Sequence, residues 1–221
     1  MKATSVVCFI TLVALVACSG SCRHQPTVST LYDTAHERER LYATTVRITV
    51  QCPDGSGGWG SGVAVSPRHV LTARHVVDGC DGEIWMLTAT PYGRSITVEM
   101  VPDLISETTD AARLVVVGTS KPFMRYARAA ALPVPDGAMV CASVFDPGFF
   151  LYQCGYLVGV FDSMMVLGFR IVGGNSGGPV FADGRLVGLV VARSIHPDRQ
   201  HVGFAVPLGR FADLLPSKEI W

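Results

Sequence analysis

The sequence has 221 residues with 18 basic and 18 acidic side chains, so its formal net charge at pH 7 is zero. This balance gives no electrostatic reason to expect nucleic acid or an anionic membrane surface as the main partner. Hydrophobic residues make up 49% of the chain, and 23 Gly and 13 Pro favour many short strands and turns. The length permits one large all-β unit or two small domains.

The N-terminal residues are typical of an export signal. A short basic start precedes the apolar run Val6–Ala17, which is too short for a comfortable membrane span. Leu15-Val16-Ala17-Cys18 resembles a bacterial lipobox, so residues 1–18 are predicted to be a signal peptide with Cys18 as a lipidation candidate. Cleavage after Gly20 and an uncleaved anchor are the alternatives. All of them predict a globular part outside the cytoplasm, in the cell envelope or periplasm when lipid-anchored and secreted otherwise.

A polar, irregular tether is predicted over residues 19–40, with at most one helical turn. About six strand-like runs follow, then a connector, then about six more, and Gly, Pro or Asp punctuates most of the gaps. The first set is Thr45–Gln51, Gly60–Ser66, His69–Thr72, Glu83–Thr90, Ser95–Val101 and Arg113–Val117. The second set is Ala138–Phe145, Phe150–Val160, Ser163–Phe169, Pro179–Phe181, Arg185–Ser194 and His201–Val206.

This pattern predicts an all-β fold of two six-stranded antiparallel barrels. Barrel one is expected at about residues 41–118, a linker at 119–136 and barrel two at about 137–207. Leu208–Leu215 reads as a short helix within a C-terminal segment, residues 208–221.

Four cysteines are candidates for two disulfide bonds. A hairpin folded about the turn Asp146-Pro147-Gly148-Phe149 sets Cys141 opposite Cys154, at a distance that a disulfide can bridge. Cys52 and Cys80 flank a histidine-containing segment and make a second candidate pair. Connectivity cannot be deduced from sequence alone, so a free, buried thiol is the alternative for each pair.

The loop Gly174-Asn175-Ser176-Gly177-Gly178-Pro179 has the composition of a nucleophile loop. A serine hydroxyl needs a base to take its proton and N–H groups aimed at the oxyanion that forms on attack. Glycines on both sides of Ser176 let the backbone turn sharply enough to supply them. Gly and Asn are also ordinary turn residues, so a surface turn is the alternative.

A base and an orienting acid are both present before this serine. His75 lies where a strand ends and a short helical turn begins, and a half-buried structural histidine is the alternative reading. Asp110 stands at the entry of an apolar strand, where most aspartates form turns. It is the candidate that would hold the imidazole, and Asp103 is the fallback.

Four short motifs together carry a family resemblance. They are Thr72-Ala73-Arg74-His75, Asp110-Ala111-Ala112-Arg113-Leu114, Gly174–Pro179 and Gly203-Phe204-Ala205-Val206-Pro207. The chain resembles trypsin-fold serine endopeptidases of the bacterial HtrA-type and glutamyl-type branch, over a domain expected at residues 41–212 and without a PDZ domain. Arg74 departs from the alanine that the family has there, and the aspartate motif matches less closely than the other two catalytic motifs.

The resemblance implies a serine endopeptidase that hydrolyses peptide bonds through an acyl-enzyme intermediate, with the active site in the cleft between the two barrels. His75 would be the general base, Asp110 would fix its tautomer, and Ser176 would attack the scissile carbonyl. The N–H groups of Gly174 and Ser176 would form the oxyanion hole. The run Gly188–Arg193 would bind a peptide or protein substrate as an added antiparallel strand. No metal or cofactor is expected.

A second motif overlaps the serine loop. Arg170-Ile171-Val172-Gly173-Gly174 resembles the cleavage site of a trypsin-type zymogen, but a cut there would sever Ser176 from the chain. In such zymogens the freed amino group pairs with an aspartate, and Asn175 carries no charge at that position. The motif is therefore interpreted as a coincidence.

Substrate preference is expected from the same resemblance. The substrate-binding candidates are Arg170, Val191, Ala192, Arg193 and Gly203. No carboxylate lies among them to attract Lys or Arg, so a small or aliphatic side chain is expected, and an acidic one if an arginine points inward. The alternatives for the whole chain are a catalytically silent binding protein of the same fold at the cell envelope, and an esterase with the same triad.

Overall fold

A computed structural model describes residues 28–78, 80, 86–94, 96–130, 133–146, 149–193 and 202–216. The expected signal peptide with Cys18, the first part of the tether and the C-terminal residues after 216 lie outside these ranges. In the described part of the chain, no helix combines the length and the hydrophobicity that a membrane crossing requires.

Barrel one closes from six antiparallel strands in the order β1-β2-β3-β6-β5-β4. These strands are β1 Thr45–Gln51, β2 Gly57–Ala64, β3 His69–Thr72, β4 Met86–Pro91, β5 Val98–Ile105 and β6 Ala112–Val116. The alternation expected of a half-buried strand is clear in β1, where Val46, Ile48 and Val50 are buried while Arg47 and Thr49 are exposed. Apolar side chains thus fill the barrel and polar ones cover it.

Barrel two closes in the order β10-β11-β12-β9-β8-β7. Its strands are β7 Met139–Asp146, β8 Phe149–Phe161, β9 Met164–Leu167, β10 Pro179–Ala182, β11 Arg185–Arg193 and β12 Gly203–Pro207. The predicted all-β fold of two six-stranded barrels is confirmed. The short C-terminal helix is present as two 3₁₀ helices, Leu208–Arg210 and Ala212–Leu214.

The segment before barrel one is more helical than the sequence suggested. Helix α1 spans Val28–Tyr42, where we expected at most one helical turn. It contains no Gly or Pro, and Glu37 and Arg40 form an i,i+3 ion pair of 3.5 Å. The end of the helix is buried, because Leu41 joins the apolar cluster that both barrels share.

Both predicted disulfide bonds are present. Cys52 and Cys80 are joined with an S–S distance of 2.05 Å, and Cys141 and Cys154 with one of 2.07 Å. Cys141 lies directly opposite Cys154 in the register of β7 and β8, as the hairpin argument required.

The two barrels pack against each other through an apolar cluster and buried hydrogen bonds. The cluster includes Leu71 of barrel one and Phe181 and Leu189 of barrel two. The hydroxyls of Thr45 in β1 and Ser143 in β7 lie 2.7 Å apart, and both residues are fully buried. Because buried polar groups are costly when unpaired, these bonds favour one relative position of the barrels.

We expect each disulfide to contribute about 3 kcal/mol to the free energy of unfolding, because the bridge restricts the unfolded chain. The double substitution Cys52→Ala/Cys80→Ala should cost about 0.7 kcal/mol more than Cys141→Ala/Cys154→Ala. The reason is that the bridged residues are 28 apart in the first pair and 13 apart in the second. Urea denaturation of both double variants measures this, and a loss below about 1 kcal/mol in each contradicts it.

Candidate active site

His75 is positioned by the short helix α2, Arg74–Val77, which begins immediately after β3. Its backbone N–H donates a hydrogen bond of 3.0 Å to Oδ1 of Asp110. Its ring Nδ1 lies 2.7 Å from Oδ2 of the same carboxylate. An ionised carboxylate only accepts, so Nδ1 carries the proton and Nε2 is the nitrogen left to accept one.

The pKa values of this pair move apart. The hydrogen bond to Asp110 raises the pKa of His75, aided by the charges of Asp110 and Asp78 and opposed by burial. Burial alone raises the pKa of Asp110, but the hydrogen bonds from His75 outweigh it and lower the pKa overall. The pair therefore favours an ionised carboxylate beside an imidazole with increased basicity.

Asp103, the fallback for the orienting acid, lies elsewhere. Its carboxylate is bound by the guanidinium of Arg113 at 2.6 Å and lies 4.0 Å from Nε2 of His69. Arg74, which replaces the alanine of the family motif, turns away from the site and pairs with Asp78 at 2.7 Å. Asp110 is thus the acid that the structure brings to His75.

The loop around Ser176 is fixed by buried hydrogen bonds. The fully buried amide of Asn175 accepts from Val172 N–H and donates to Phe145 C=O, each at 2.9 Å. The backbone N–H groups of Asn175, Gly177 and Gly178 are all bonded as well. Within the described ranges, the N–H groups of Gly174 and Ser176 are without a hydrogen-bond partner. In the described structure, the unbonded N–H groups of Gly174 and Ser176 therefore lie on either side of the bonded N–H group of Asn175.

Two glycines of this loop are required by its surroundings. Gly174 has a φ of +86°, and a Cβ atom on it would lie 1.9 Å from Cη2 of Trp59. Gly177 has a φ of +82°, and its Cβ would lie 2.2 Å from both the carbonyl oxygen of Ser61 and Oγ1 of Thr72. Any side chain at either position would push the loop away from barrel one.

A pocket of about 280 Å³ brings the base and the nucleophile together. Its lining consists of Val50, Cys52, Gly57, Gly58, Trp59, His75, Val76, Gly174 and Ser176. Ser176 is partly exposed and the side chain of His75 is 47% exposed, so a ligand in the pocket reaches both. No hydrogen bond joins the Ser176 hydroxyl to the imidazole in the described part of the chain. The sequence motifs from both barrels therefore meet in one cleft, with the base oriented by Asp110.

The substrate-binding candidates have different environments. Arg170 is exposed, whereas Phe169 and Ile171 on either side of it are buried. A Cβ atom on Gly203 would lie 2.3 Å from Cγ1 of Ile171, so this isoleucine packs directly against β12.

Strand β11 bends at the site. Its register with β12 shifts between Val190 and Ala192, so Val191 is the bulged residue; it is buried and Ala192 is exposed. The side chain of Arg193 lies outside the described part.

The zymogen-like motif lies within the folded loop of barrel two. Ile171 is 3% exposed, and Val172 N–H is bonded to the side chain of Asn175. The oxygen and the nitrogen of the Asn175 side-chain amide both make hydrogen bonds to backbone groups. Among the described residues, Asn175 has no ionic partner. These contacts agree with our interpretation of the motif as part of the serine loop.

Two residues of the site were not identified from the sequence. Trp59 packs against Gly174 and lies under the guanidinium of Arg47, 5.1 Å from the ring centroid. Ser61 bonds the serine loop from β2. The available signal was the glycine-rich run Gly57-Gly58-Trp59-Gly60-Ser61-Gly62, because glycines inside a strand often mark a close backbone approach.

Two antiparallel barrels with a serine, a histidine and an aspartate in the cleft between them define the class of serine protease hydrolases. The chain belongs to the trypsin-like peptidase domain family, whose model matches residues 60–189, more than half of the sequence.

One curated relative is similar to this chain in sequence. The relative, the peroxisomal leader peptide-processing protease of Mus musculus, is 28% identical over 170 residues. That alignment covers 68% of this chain but only 29% of the relative, so the chain spans less than a third of that protein.

The solved structures share the fold. The Rv3671c protease from M. tuberculosis in its active form aligns with a TM-score of 0.69 and 21% identity, over 86% of each chain. The serine endoprotease from Yersinia pestis aligns with a TM-score of 0.69 and 18% identity, over 81% of this chain and 64% of that one. The HtrA-type protease AlgW with a tripeptide aligns with a TM-score of 0.69 and 17% identity, over 81% of this chain and 61% of that one.

We expect an NMR titration of the His75 imidazole to give a pKa above the ordinary value of 6.5, because Asp110 stabilises the protonated ring. Asp110→Asn removes that charge while the burial that opposes protonation remains, so the pKa should fall. Asp103→Asn is the matched control, since its carboxylate pairs with Arg113 and is expected to leave the His75 titration unchanged. An unmoved His75 pKa in Asp110→Asn contradicts the assignment of Asp110 as the orienting acid.

Proposed function

We propose that the chain is a serine endopeptidase that cleaves peptide bonds through a covalent acyl-enzyme. Ser176 Oγ attacks the scissile carbonyl while Nε2 of His75 takes its proton, and His75 then returns the proton to the leaving amine. Asp110 holds the ring through Nδ1 and stabilises the imidazolium that forms. Water repeats the sequence on the acyl-enzyme and releases the second product.

The observation that carries the proposal is the pattern of N–H groups around Ser176. Among the described residues, the N–H groups of Gly174 and Ser176 have no hydrogen-bond partner, while those of Asn175, Gly177 and Gly178 are bonded. Gly174 and Ser176 are both partly exposed and line the pocket, so their N–H groups are accessible to a ligand bound there. Two fixed, unpaired donors beside a hydroxyl suit a developing oxyanion.

The proposed substrate lies as an added strand along the end of β11. Strand β10 begins at Pro179, which pairs with Leu189 of β11. Residues Val191–Arg193 of β11 lie beyond this pair, and in the described part of the chain no strand pairs with them on the β10 side. The backbone there can pair with an extended peptide on the acyl side of the scissile bond. The leaving side would then cross the pocket beside His75.

The contacts of Ile171 support a preference for a small or aliphatic side chain at the cleaved residue. Ile171 and Phe169 are buried apolar groups, and Ile171 fills the space that the missing side chain of Gly203 leaves. Arg170 is exposed, so it does not supply a buried charge for an acidic side chain. Apolar groups of this kind favour an apolar side chain of the substrate, because an ionised group is costly to bury against them.

Export from the cytoplasm is part of the proposal. The apolar run Val6–Ala17 followed by Cys18 supports a lipid-modified N-terminus. Two disulfide bonds in the barrels support an oxidising compartment, since thiols are kept reduced in the cytoplasm.

The second candidate is a catalytically silent binding protein at the cell envelope that has the same fold. The observation in its favour is that Ser176 and His75 share a pocket without a hydrogen bond between them. Catalytic hydrogen bonds are often long in the absence of substrate, so this observation has less weight than the two free donors.

Labelling by a fluorophosphonate probe and cleavage of a peptide library test the proposed enzyme. Wild-type protein should react with the probe and cleave after small or aliphatic residues. Ser176→Ala should not be labelled and should lose about 10⁴-fold or more of the cleavage rate. If well-folded wild-type protein is neither labelled nor active at neutral pH, the binding protein becomes the better reading.

Membrane fractionation tests the proposed anchor. Wild-type protein should sediment with the membrane fraction, and Cys18→Ala should move to the soluble fraction, because the lipid would be attached at that thiol. Cys22→Ala is the matched control and should remain with the membrane. Equal sedimentation of all three proteins argues against acylation of Cys18.

A further inference from the structure

Ser61 connects the two barrels at the serine loop. It is fully buried in β2 of barrel one. Its hydroxyl donates to the carbonyl of Gly174 at 2.9 Å and accepts from Phe145 N–H at 2.8 Å. Its backbone N–H donates to the carbonyl of Ser176 at 2.8 Å. One residue of barrel one therefore binds the residues at both proposed oxyanion donors and the first strand of barrel two.

The same residue is tied to the element that carries His75. The Ser61 carbonyl accepts a hydrogen bond of 2.7 Å from Oγ1 of Thr72, and the adjacent Gly62 pairs with Thr72 in the sheet. Thr72 ends β3, three positions before His75. The backbone of Ser61 thus makes hydrogen bonds both to the strand that leads to His75 and to the serine loop.

We propose that Ser61 is a positioning residue that aligns Ser176 and the oxyanion donors of barrel two with His75 of barrel one. The proposal rests on the proposed endopeptidase function. Its physical basis is that the two halves of the site lie on different barrels, so their alignment needs a bond that crosses between them. A displacement of about 1 Å in such a site costs about 10²-fold in rate.

The hydroxyl has a role that the backbone of the same residue cannot fill. In Ser61→Ala the N–H bond to Ser176 remains, but the Gly174 carbonyl and Phe145 N–H lose their buried partner. The peptide plane that carries the Gly174 carbonyl keeps the bond from Asn175 N–H to Val172 C=O but loses its second anchor, and Gly174 has no side chain to restrict its φ and ψ. We expect the Gly174 backbone to shift around the remaining bond, which displaces the Gly174 N–H in the preceding peptide plane.

Ser143 offers a matched control. It is also a fully buried serine, and its hydroxyl also bonds across the barrels, to Thr45 at 2.7 Å. Neither Ser143 nor Thr45 makes a hydrogen bond to Gly174 or Ser176. Ser143→Ala therefore removes a bond of the same kind from the same interface without releasing the serine loop.

The experiment compares full-length wild type, Ser61→Ala and Ser143→Ala. The readouts are kcat and KM on one peptide substrate, the rate of fluorophosphonate labelling, the melting temperature and the pH midpoint of kcat/KM. We expect kcat and the labelling rate of Ser61→Ala to fall by about 10- to 100-fold. KM should change by less than about threefold, and the pH midpoint should not move, because Ser61 does not touch His75. The melting temperature of Ser143→Ala should fall by about as much as that of Ser61→Ala, whereas its kcat should stay at the wild-type value.

The proposal is overturned if Ser61→Ala and Ser143→Ala have the same kcat per folded molecule. It is also overturned if the pH midpoint moves with Ser61→Ala, because the effect would then act through the base. Should Ser61→Ala not fold, Ser61→Cys keeps the shape of the side chain with a weak hydrogen-bonding group and is expected to show the same loss of kcat. A wild-type protein that neither cleaves nor labels would instead refute the endopeptidase function itself.

Discussion

The closeness of the serine loop to strand β2 is the constraint on which the site depends. Gly177 lies so near the Ser61 carbonyl and the Thr72 hydroxyl that one added carbon would overlap both. Ser176, the proposed nucleophile, comes from barrel two, whereas His75 and Asp110, the proposed base and its acid, come from barrel one. Since neither barrel holds the complete site, the geometry of catalysis is set by how accurately one barrel sits on the other.

Buried polar side chains give this interface its accuracy. Thr45 and Ser61 of barrel one and Ser143 of barrel two are fully buried, and their hydroxyl groups make hydrogen bonds that cross between the barrels. An apolar interface alone would tolerate sliding, because hydrophobic contact has no direction. A hydrogen bond has an angle and a length, and a displaced barrel would leave several such groups unpaired at once. The relative position of the barrels is therefore set by the free energy that would be lost if these hydrogen bonds were broken.

The sequence predicted the fold well because strands carry their burial pattern locally. The strand Thr45–Gln51 and the pairing of Cys141 with Cys154 were predicted from neighbouring residues, and both are confirmed. Ser61 was missed for the opposite reason. Its partner Gly174 is 113 positions away, and a serine in a strand has the same local pattern whether or not a distant loop bonds it. The glycines around Trp59 indicated a close approach but not which segment approached. The full length of α1 was missed because, among residues 35–42, whose burial the structure describes, only Leu41 near the end of the helix is buried.

The missing hydrogen bond between Ser176 and His75 is consistent with a site whose backbone is already set. The imidazole ring is held through Nδ1 at 2.7 Å, and the serine carbonyl is held by Ser61 at 2.8 Å. Neither contact fixes the rotation of the serine hydroxyl about χ1, which has three staggered positions of similar energy. A substrate carbonyl seated on the donors of Gly174 and Ser176 would occupy one of the directions open to that hydroxyl. Substrate binding would thereby restrict the serine hydroxyl to fewer rotamers on a backbone that is already held in place.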